Sequence, residues 1–414
     1  MLMNGTVQRN DIEVIALVGI LHGISHFFHL LLPPLFPWLM RAFSLSFVQV
    51  GLLITVFYVI SATFQFLAGF VVDRLGSRRM LTTCFALFVL AGVMLGLAQG
   101  YTSLFVVVVL AGLAAAGMHP ADFTILNRQV APARLGHAFS VHGLSGNLGG
   151  AVAPIFLTGI AALSGWRVAA FAAAGVGLAG LALLLLRRTA IAGLHHATHP
   201  GAGDGGAVAP ANSAVVRGMN AIGMCFIYFL VMGLGLGAVY SFAPTLLQQI
   251  YGMSLAAGAM ALTLFALGTA AGTALGGFLA TKNAAPEKLI GATLVAAALM
   301  TLGLAGGAIS PWSVSALMAC TGFCTGIAAP SRDLLVRRVA TSCFGAKSFG
   351  RLYGFVYSGS DFGLAVAPLL FGWLMDNSRF AEVLIAVALL QGLAVLAVLR
   401  VGQATLPTTD APHS

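Results

Sequence analysis

Apolar residues run along this chain in long blocks, separated by short clusters of charge, glycine and proline. A helix needs about 20 apolar residues to cross the hydrocarbon core of a bilayer. Blocks of that order lie at 14–39, 47–72, 80–99, 102–127, 138–163 and 166–186, and again at 219–247, 254–281, 288–309, 312–336, 349–375 and 380–400. The pattern predicts an all-α membrane protein with twelve transmembrane helices. One long polar interruption breaks it, residues 189–217, rich in Gly, Ala and His (Leu194-His195-His196-Ala197-Thr198-His199-Pro200-Gly201). Such a composition predicts a flexible linker. It joins an N-terminal six-helix half, 1–188, to a C-terminal half, 218–414.

Composition removes the soluble alternatives. Charged residues make up 7% of the chain and hydrophobic ones 59%, with a mean hydropathy of +0.98, whereas soluble domains carry about a quarter charged residues. Lysine and arginine stay on the cytoplasmic side during insertion. With a cytoplasmic N-terminus, the external connections hold only Arg41, Arg167 and Arg379. Both termini are therefore expected in the cytoplasm of a bacterial inner membrane, and the net charge of +9 is this topology signal. No aromatic residues interleave with the basic loops as single-stranded nucleic acid requires, so no nucleic-acid partner is expected. The first apolar block follows Arg9, Asp11 and Glu13, exceeds a signal-peptide core and has no small-residue cleavage site, which predicts a retained first span. Cys84, Cys225, Cys320, Cys324 and Cys343 lie in or beside apolar blocks and do not suggest a disulfide framework.

The two halves repeat. Gly136-His137-Ala138-Phe139 and Asn147-Leu148-Gly149-Gly150-Ala151-Val152-Ala153-Pro154 align at one constant offset with Gly350-Arg351-Leu352-Tyr353 and Asp361-Phe362-Gly363-Leu364-Ala365-Val366-Ala367-Pro368. Pro120 corresponds in the same way to Pro330. A tandem copy of six helices inserted the same way is a parallel transporter repeat. Between the second and third spans lies Gly69-Phe70-Val71-Val72-Asp73-Arg74-Leu75-Gly76-Ser77-Arg78-Arg79, a charge cluster that hydrocarbon excludes. The order and spacing of Gly69, Asp73, Arg74, Gly76, Arg78 and Arg79 resemble the corresponding loop of the major facilitator superfamily. That resemblance implies a secondary transporter working by alternating access, with this motif as a latch on the cytoplasmic gate. Physically, Gly69 permits close helix approach, Gly76 a sharp turn, and Asp73 can meet a helix N-terminus or an arginine across the half-to-half interface. The matching place in the second half, Gly276-Gly277-Phe278-Leu279-Ala280-Thr281-Lys282, lacks the acid. Gly268, Gly272 and Gly276, every fourth residue, point to close helix packing.

Ionisable groups inside spans are costly and mark function by default. The first span carries His22, His26 and His29 at spacings that put them on one helix face. The fourth carries His119 and Asp122, the fifth His142 and Asn147, the tenth Arg332 and Asp333, the eleventh Asp361; Gln65, Tyr228 and Tyr240 add uncharged polar groups. The set nominated for a substrate and proton cavity is His22, His26, His29, His119, Asp122, Asn147, Arg332, Asp333 and Asp361. A carboxylate's hold on its proton depends on burial and on neighbouring cations, so a change of surroundings takes up or releases protons. Because sequence neighbours do not share a helix face, Arg332 is expected to reach across to Asp122 or Asp361 rather than Asp333. Arg128 reads as an interfacial cation. His22 and His26 have the i, i+4 spacing that holds zinc, with His119 and Asp122 as further ligands, and His195, His196 and His199 form a second candidate metal cluster.

Within the superfamily the chain is most similar to the fosmidomycin-resistance type of efflux transporter. The similarity rests on Ser25-His26, Phe43-Ser44-Leu45-Ser46-Phe47-Val48-Gln49-Val50-Gly51, His119-Pro120, and Gly146-Asn147-Leu148-Gly149 followed by Pro154. That type has an Asn-Asp pair where this chain has His29-Leu30, and an acid directly after His-Pro where this chain has Ala121, with Asp122 next. The resemblance implies a monomer without a cofactor that moves a small organic solute by proton-coupled efflux. The alternative is proton-linked uptake of a metabolite, metal ion or metal chelate through the histidine-rich cavity. No Gly-x-x-x-x-Gly-Lys-Ser/Thr run for ATP occurs, and the histidines lack a nucleophile motif, so no enzyme is expected.

Overall fold

The computed structural model describes residues 2–45, 47–190, 212–282, 285–344 and 349–404. The first half contains α1 (Leu2–His29), a 3-10 turn (Pro33–Leu35), α2 (Phe36–Phe43), α3 (Phe47–Leu75), α4 (Ser77–Gly96), α5 (Tyr101–Gln129), a second 3-10 turn (Pro132–Arg134), α6 (Leu135–Ser164) and α7 (Trp166–Leu186). The second contains α8 (Asn212–Tyr251), α9 (Leu255–Lys282), α10 (Pro286–Ala305), α11 (Pro311–Cys343), α12 (Phe349–Asp376) and α13 (Phe380–Ala404). Among the described residues, twelve helical segments are long and apolar enough to cross a membrane.

Three sequence-based boundaries change. The block at 14–39 is not one helix: α1 stops at His29, and the chain passes through a 3-10 turn into the short α2. Pro33 and Pro34 have no N–H to donate to the carbonyls four residues back, those of His29 and Leu30, and their rings would crowd those carbonyls in a continued helix. Helix α8 begins at Asn212, inside the expected linker. The remainder of that linker, 191–211, lies outside the described residues, and with it the candidate cluster His195, His196 and His199. Helix α11 also runs past the expected 336 to Cys343; its 33 residues span about 50 Å at 1.5 Å each, against roughly 30 Å of hydrocarbon.

Both halves use the same pairings. In the first, α1 packs on α6, α3 on α5, α4 on α5 and α4 on α7; in the second, α8 packs on α12, α9 on α11, α10 on α11 and α10 on α13. Gly268, Gly272 and Gly276 of α9 lie directly against the backbone of α11 at Ala319, Phe323 and Ile327, so this stripe serves packing within one half. The halves meet along α3 with α12, α5 with α12, and α6 with α9 and α11. Helix α5 is the most enclosed of these, with every residue from Pro120 to Asn127 buried. That stretch delivers the site.

The chain reverses between α3 and α4 at Gly76, whose φ of 86° is a conformation that favours glycine. The start of α1, the α5–α6 connection and the end of α7 gather on one face, tied by Arg134 to Asp11 at 2.6 Å and Arg187 to Glu13 at 2.9 Å. Arg41 and Arg167 belong to helix ends on the opposite face, where Arg167 donates to the Ala98 carbonyl at 2.8 Å.

Candidate transport site

Three helices of the first half converge on one carboxylate. Asp122, on α5, is fully buried. Its Oδ2 lies 3.0 Å from His22 Nδ1 on α1 and 3.3 Å from His142 Nε2 on α6. The His22 and His142 rings stack with centroids 3.5 Å apart and 24° between planes. His119, one turn before Asp122, brings its ring within 5.1 Å of His22. His26 and His29 extend the array along α1, at 4.6 Å from His22 to His26 and 4.7 Å from His26 to His29. His29 ends it with its edge against Phe57 at 5.4 Å. The rings reach α6 because position 146 is glycine: a Cβ there would stand 3.1 Å from His22 Nε2 and 3.2 Å from His26 Cδ2. Asp122 Oδ1, His119 Nδ1 and His26 Nε2 are buried without a hydrogen-bond partner among the described residues.

A second cluster belongs to the other half. Arg332 and Asp333 of α11 form a two-point pair, Nε to Oδ1 at 3.0 Å and Nη2 to Oδ2 at 3.2 Å. The Tyr357 hydroxyl on α12 donates to Asp333 Oδ1 at 2.7 Å and lies 3.2 Å from Arg332 Nη2. The guanidinium sits over Phe229 of α8 at 4.6 Å, and the Tyr353 hydroxyl donates to the Asp333 carbonyl at 3.0 Å. Arg332 therefore does not cross to Asp122 or Asp361. The rule that successive residues diverge describes where Cβ atoms point, and a long guanidinium stem can curl back when a neighbouring phenol braces both partners. The two clusters touch through His119, whose ring centroid is 4.4 Å from that of Tyr357.

Asp361 stands apart from both. It accepts a hydrogen bond from the Ser61 hydroxyl of α3 at 2.5 Å, a contact between halves. One turn along α3, Gln65 is completely buried with neither amide atom partnered among the described residues. Asn147 is half-buried on α6 and takes no part in either cluster. The nominated set thus divides: His22, His26, His29, His119 and Asp122 gather, Arg332 and Asp333 form a separate pair, and Asp361 and Asn147 stay outside. His142 and Tyr357 are the additions. His142 carried the same signal as the others, an imidazole inside an apolar span, whereas nothing in the sequence distinguished Tyr357 from other phenols in spans. The metal geometry also shifts: His22, His119 and His142 each place one ligand nitrogen within 4.8 Å of the others, and His26 is outside that group.

On the face that holds the α3–α4 turn, Asp73 receives the first turn of α12. Its Oδ1 accepts from Gly350 N at 3.1 Å, and its Oδ2 from Arg351 N at 3.1 Å and Arg351 Nε at 3.0 Å. Arg128, rather than standing alone at the interface, comes within 3.9 Å of the same carboxylate. Gly69 lies so close to α12 that a Cβ there would overlap the Gly350 carbonyl. Arg74, Arg78 and Arg79 are exposed and pair with no carboxylate among the described residues.

The Major Facilitator Superfamily profile matches residues 15–342. Over 277 residues the chain is 25% identical to the fosmidomycin resistance protein of Escherichia coli (strain K12), a match covering 66% of each chain. It is 27% identical over 153 residues to YfnC of Bacillus subtilis (strain 168), an uncharacterized MFS-type transporter, covering 36% of this chain and 37% of that one. The chain thus spans just under two thirds of the first of these curated relatives and about a third of the second. Among solved structures, the proton:xylose symporter XylE bound to 6-bromo-6-deoxy-D-glucose is similar with a TM-score of 0.72 at 16% identity, over 93% of this chain and 94% of that one. The human organic anion transporter MFSD10 is similar with a TM-score of 0.69 at 16% identity, over 95% and 99%. At such identities the structures speak for the fold alone.

Proposed function

Because this chain belongs to the Major Facilitator Superfamily, and is therefore a multi-pass membrane transporter of small molecules rather than an enzyme, we propose that it expels a small organic solute in exchange for protons. The observation that carries this is Asp122. It is a fully buried carboxylate with one oxygen held between two imidazoles and the other without a partner. A buried charge is tolerated only while it is paired and hydrogen-bonded. Asp122 and both imidazoles lie in the first half, so a rocking of the halves reaches them at the contact of His119 with Tyr357 of the second half; opening that contact to water changes how firmly Asp122 holds a proton. The His119–Tyr357 contact supports coupling between halves, since movement at Asp122 is felt at the ring that braces Arg332 and Asp333.

Efflux as the direction draws on the similarity to the E. coli protein named for fosmidomycin resistance. Asp73 acts as the latch of the cytoplasmic gate, holding the N-terminus of α12 while the opposite side is open. The protein works as a monomer in a bacterial inner membrane with both termini in the cytoplasm, an orientation supported by Arg41, Arg167 and Arg379 being the only cations of the external connections.

Reconstituted liposomes test the exchange. Solutes that raise the melting temperature of the purified protein are loaded, a pH step is applied, and an internal pH dye is followed with the solute itself. The gradient should drive solute flux in the wild type and fail to do so in Asp122→Asn. Solute flux that ignores the gradient in both proteins sinks proton exchange.

A further inference from the structure

The first-half cluster holds more imidazole than proton exchange requires. His22, His119 and His142 come from three different helices, yet each places one ring nitrogen within 4.8 Å of the other two. We propose that these three residues form a binding site for a divalent first-row transition-metal ion, and that the solute moved is a small chelating molecule occupying the coordination position the protein leaves open. This rests on the reading that the cluster is the transport site, and it narrows the class of solute.

The ligand chemistry fits. Imidazole suits zinc, cobalt, nickel and copper, and three protein nitrogens with a fourth position open to an outside ligand is the arrangement of exchangeable zinc sites. A tetrahedral ion with Zn–N of about 2.0–2.1 Å wants its nitrogens roughly 3.4 Å apart. The nitrogens here lie within 4.8 Å of one another, and the His22 and His142 rings, stacked with 24° between planes, must turn for both lone pairs to meet one ion. The position of Asp122 matters as much. A ligating histidine commonly gives its second ring N–H to a carboxylate, which fixes ring orientation and leaves the other nitrogen's lone pair for the metal. Asp122 Oδ2 faces Nδ1 of His22 and Nε2 of His142, so an ionised carboxylate takes an N–H from each ring. That leaves His22 Nε2 and His142 Nδ1 as the donors. His119 Nδ1 is buried and unpartnered, as a third donor would be before an ion arrives.

The other polar groups are poorer candidates for a metal. Arg332 and Asp333 neutralise each other, with Tyr357 holding the acid. Asp361 has one hydroxyl partner and no imidazole beside it. Of the described residues, only the first-half cluster meets the ligand-spacing condition.

Cobalt(II) titration of the purified full-length protein is the test, because cobalt bound to nitrogen ligands in low coordination absorbs in the visible. Residues 195, 196 and 199 are first replaced by alanine so that histidines outside the cluster cannot contribute. One Co2+ per chain, with visible bands displaced by Zn2+, is the expected result. His119→Ala and His142→Ala should each abolish the bands, and Asp122→Asn, which keeps the side-chain shape, should weaken binding by about 10- to 100-fold. Because a ligand removal can unfold the protein, Zn2+ should also raise the melting temperature of the parent, as binding to the folded state must. Absent bands together with an unmoved melting temperature overturn the proposal, as does binding that survives both histidine replacements. The readout needs no gradient, so the two readings fail separately. Cobalt binding alongside gradient-independent flux removes proton exchange and leaves the site, whereas gradient-driven flux of a solute with no cobalt binding removes the site and leaves the exchange.

Discussion

The contact of α3 with α12 and the contact of α6 with α9 occupy equivalent places in the repeat, but different chemistry holds them. In the first, Asp73 accepts two backbone N–H groups from the start of α12 and a third bond from the Arg351 side chain. In the second, the counterpart of Asp73 is Thr281, whose hydroxyl turns back to the Phe278 carbonyl of its own helix, while its methyl group faces Gly136. Arg351 lies over the Phe70 ring at 5.9 Å, and its counterpart His137 meets the Phe278 ring at 4.8 Å. The second contact is closed instead by the Ser140 hydroxyl donating to the Thr273 carbonyl and by direct backbone packing of Gly136 on Gly277. The backbone arrangement was duplicated, whereas the charge was kept on one side. The α3–α12 contact is closely packed as well, with Gly69 against the Gly350 carbonyl and Gly354 against that of Gln65, so the charge adds to packing there rather than replacing it.

Four changes probe that asymmetry, each read as cross-linking between cysteine pairs placed on the two contacts. Gly69→Val should have the largest effect, because the new side chain overlaps the α12 backbone, which cannot turn aside. Overpacking of about 1–3 kcal/mol would lower the closed-to-open ratio at α3–α12 by roughly 5- to 150-fold. Unchanged cross-linking would mean that this face does not close as described. Asp73→Asn should come next. It keeps one acceptor oxygen but removes the charge facing a helix N-terminus, at about 1 kcal/mol or a roughly fivefold shift. Arg351→Ala should do less than Asp73→Asn, because that side chain is 45% exposed and an exposed pair contributes about 0–1 kcal/mol; the reverse order would place the latch in the ion pair rather than in the helix N-terminus. Thr281→Asp is the smallest and the most discriminating. A carboxylate beside the first turn of α6 should favour closure of α6–α9 by about 0.3–1 kcal/mol, up to fivefold, with α3–α12 unaffected. If both contacts tighten together, the two sides move as one unit and the comparison loses its meaning.

How far the site was legible varies with the kind of contact. His22, His26 and His29 share a face because of spacing within one helix, and the structure has them in a single array. His142 shows the limit: it stood in its span as an isolated imidazole, and only the crossing of α1 over α6 stacks it on His22. The Arg332–Asp333 pair shows a different limit. A rule about backbone direction does not describe a side chain several bonds long, and the bracing by Tyr357 was a tertiary fact. The break after His29 had its cause in plain view at Pro33 and Pro34, but averaging hydropathy over a span runs through a local loss of N–H donors without registering it.

The sequence by itself determined the number of spans, the two-half repeat and the motif at Gly69 to Arg79. Hydrocarbon acts on composition one segment at a time, and a repeat is written in residue order, so neither needs a contact map. Only the tertiary structure decided which ionisable groups meet. Asp122 and His22 lie 100 positions apart, Asp361 and Ser61 lie 300 apart, and Asp73 and Gly350 lie 277 apart. A hydrogen bond between helices requires their crossing, rotation and depth to agree within a fraction of an ångström, and that agreement is a property of the packed bundle rather than of any segment in it.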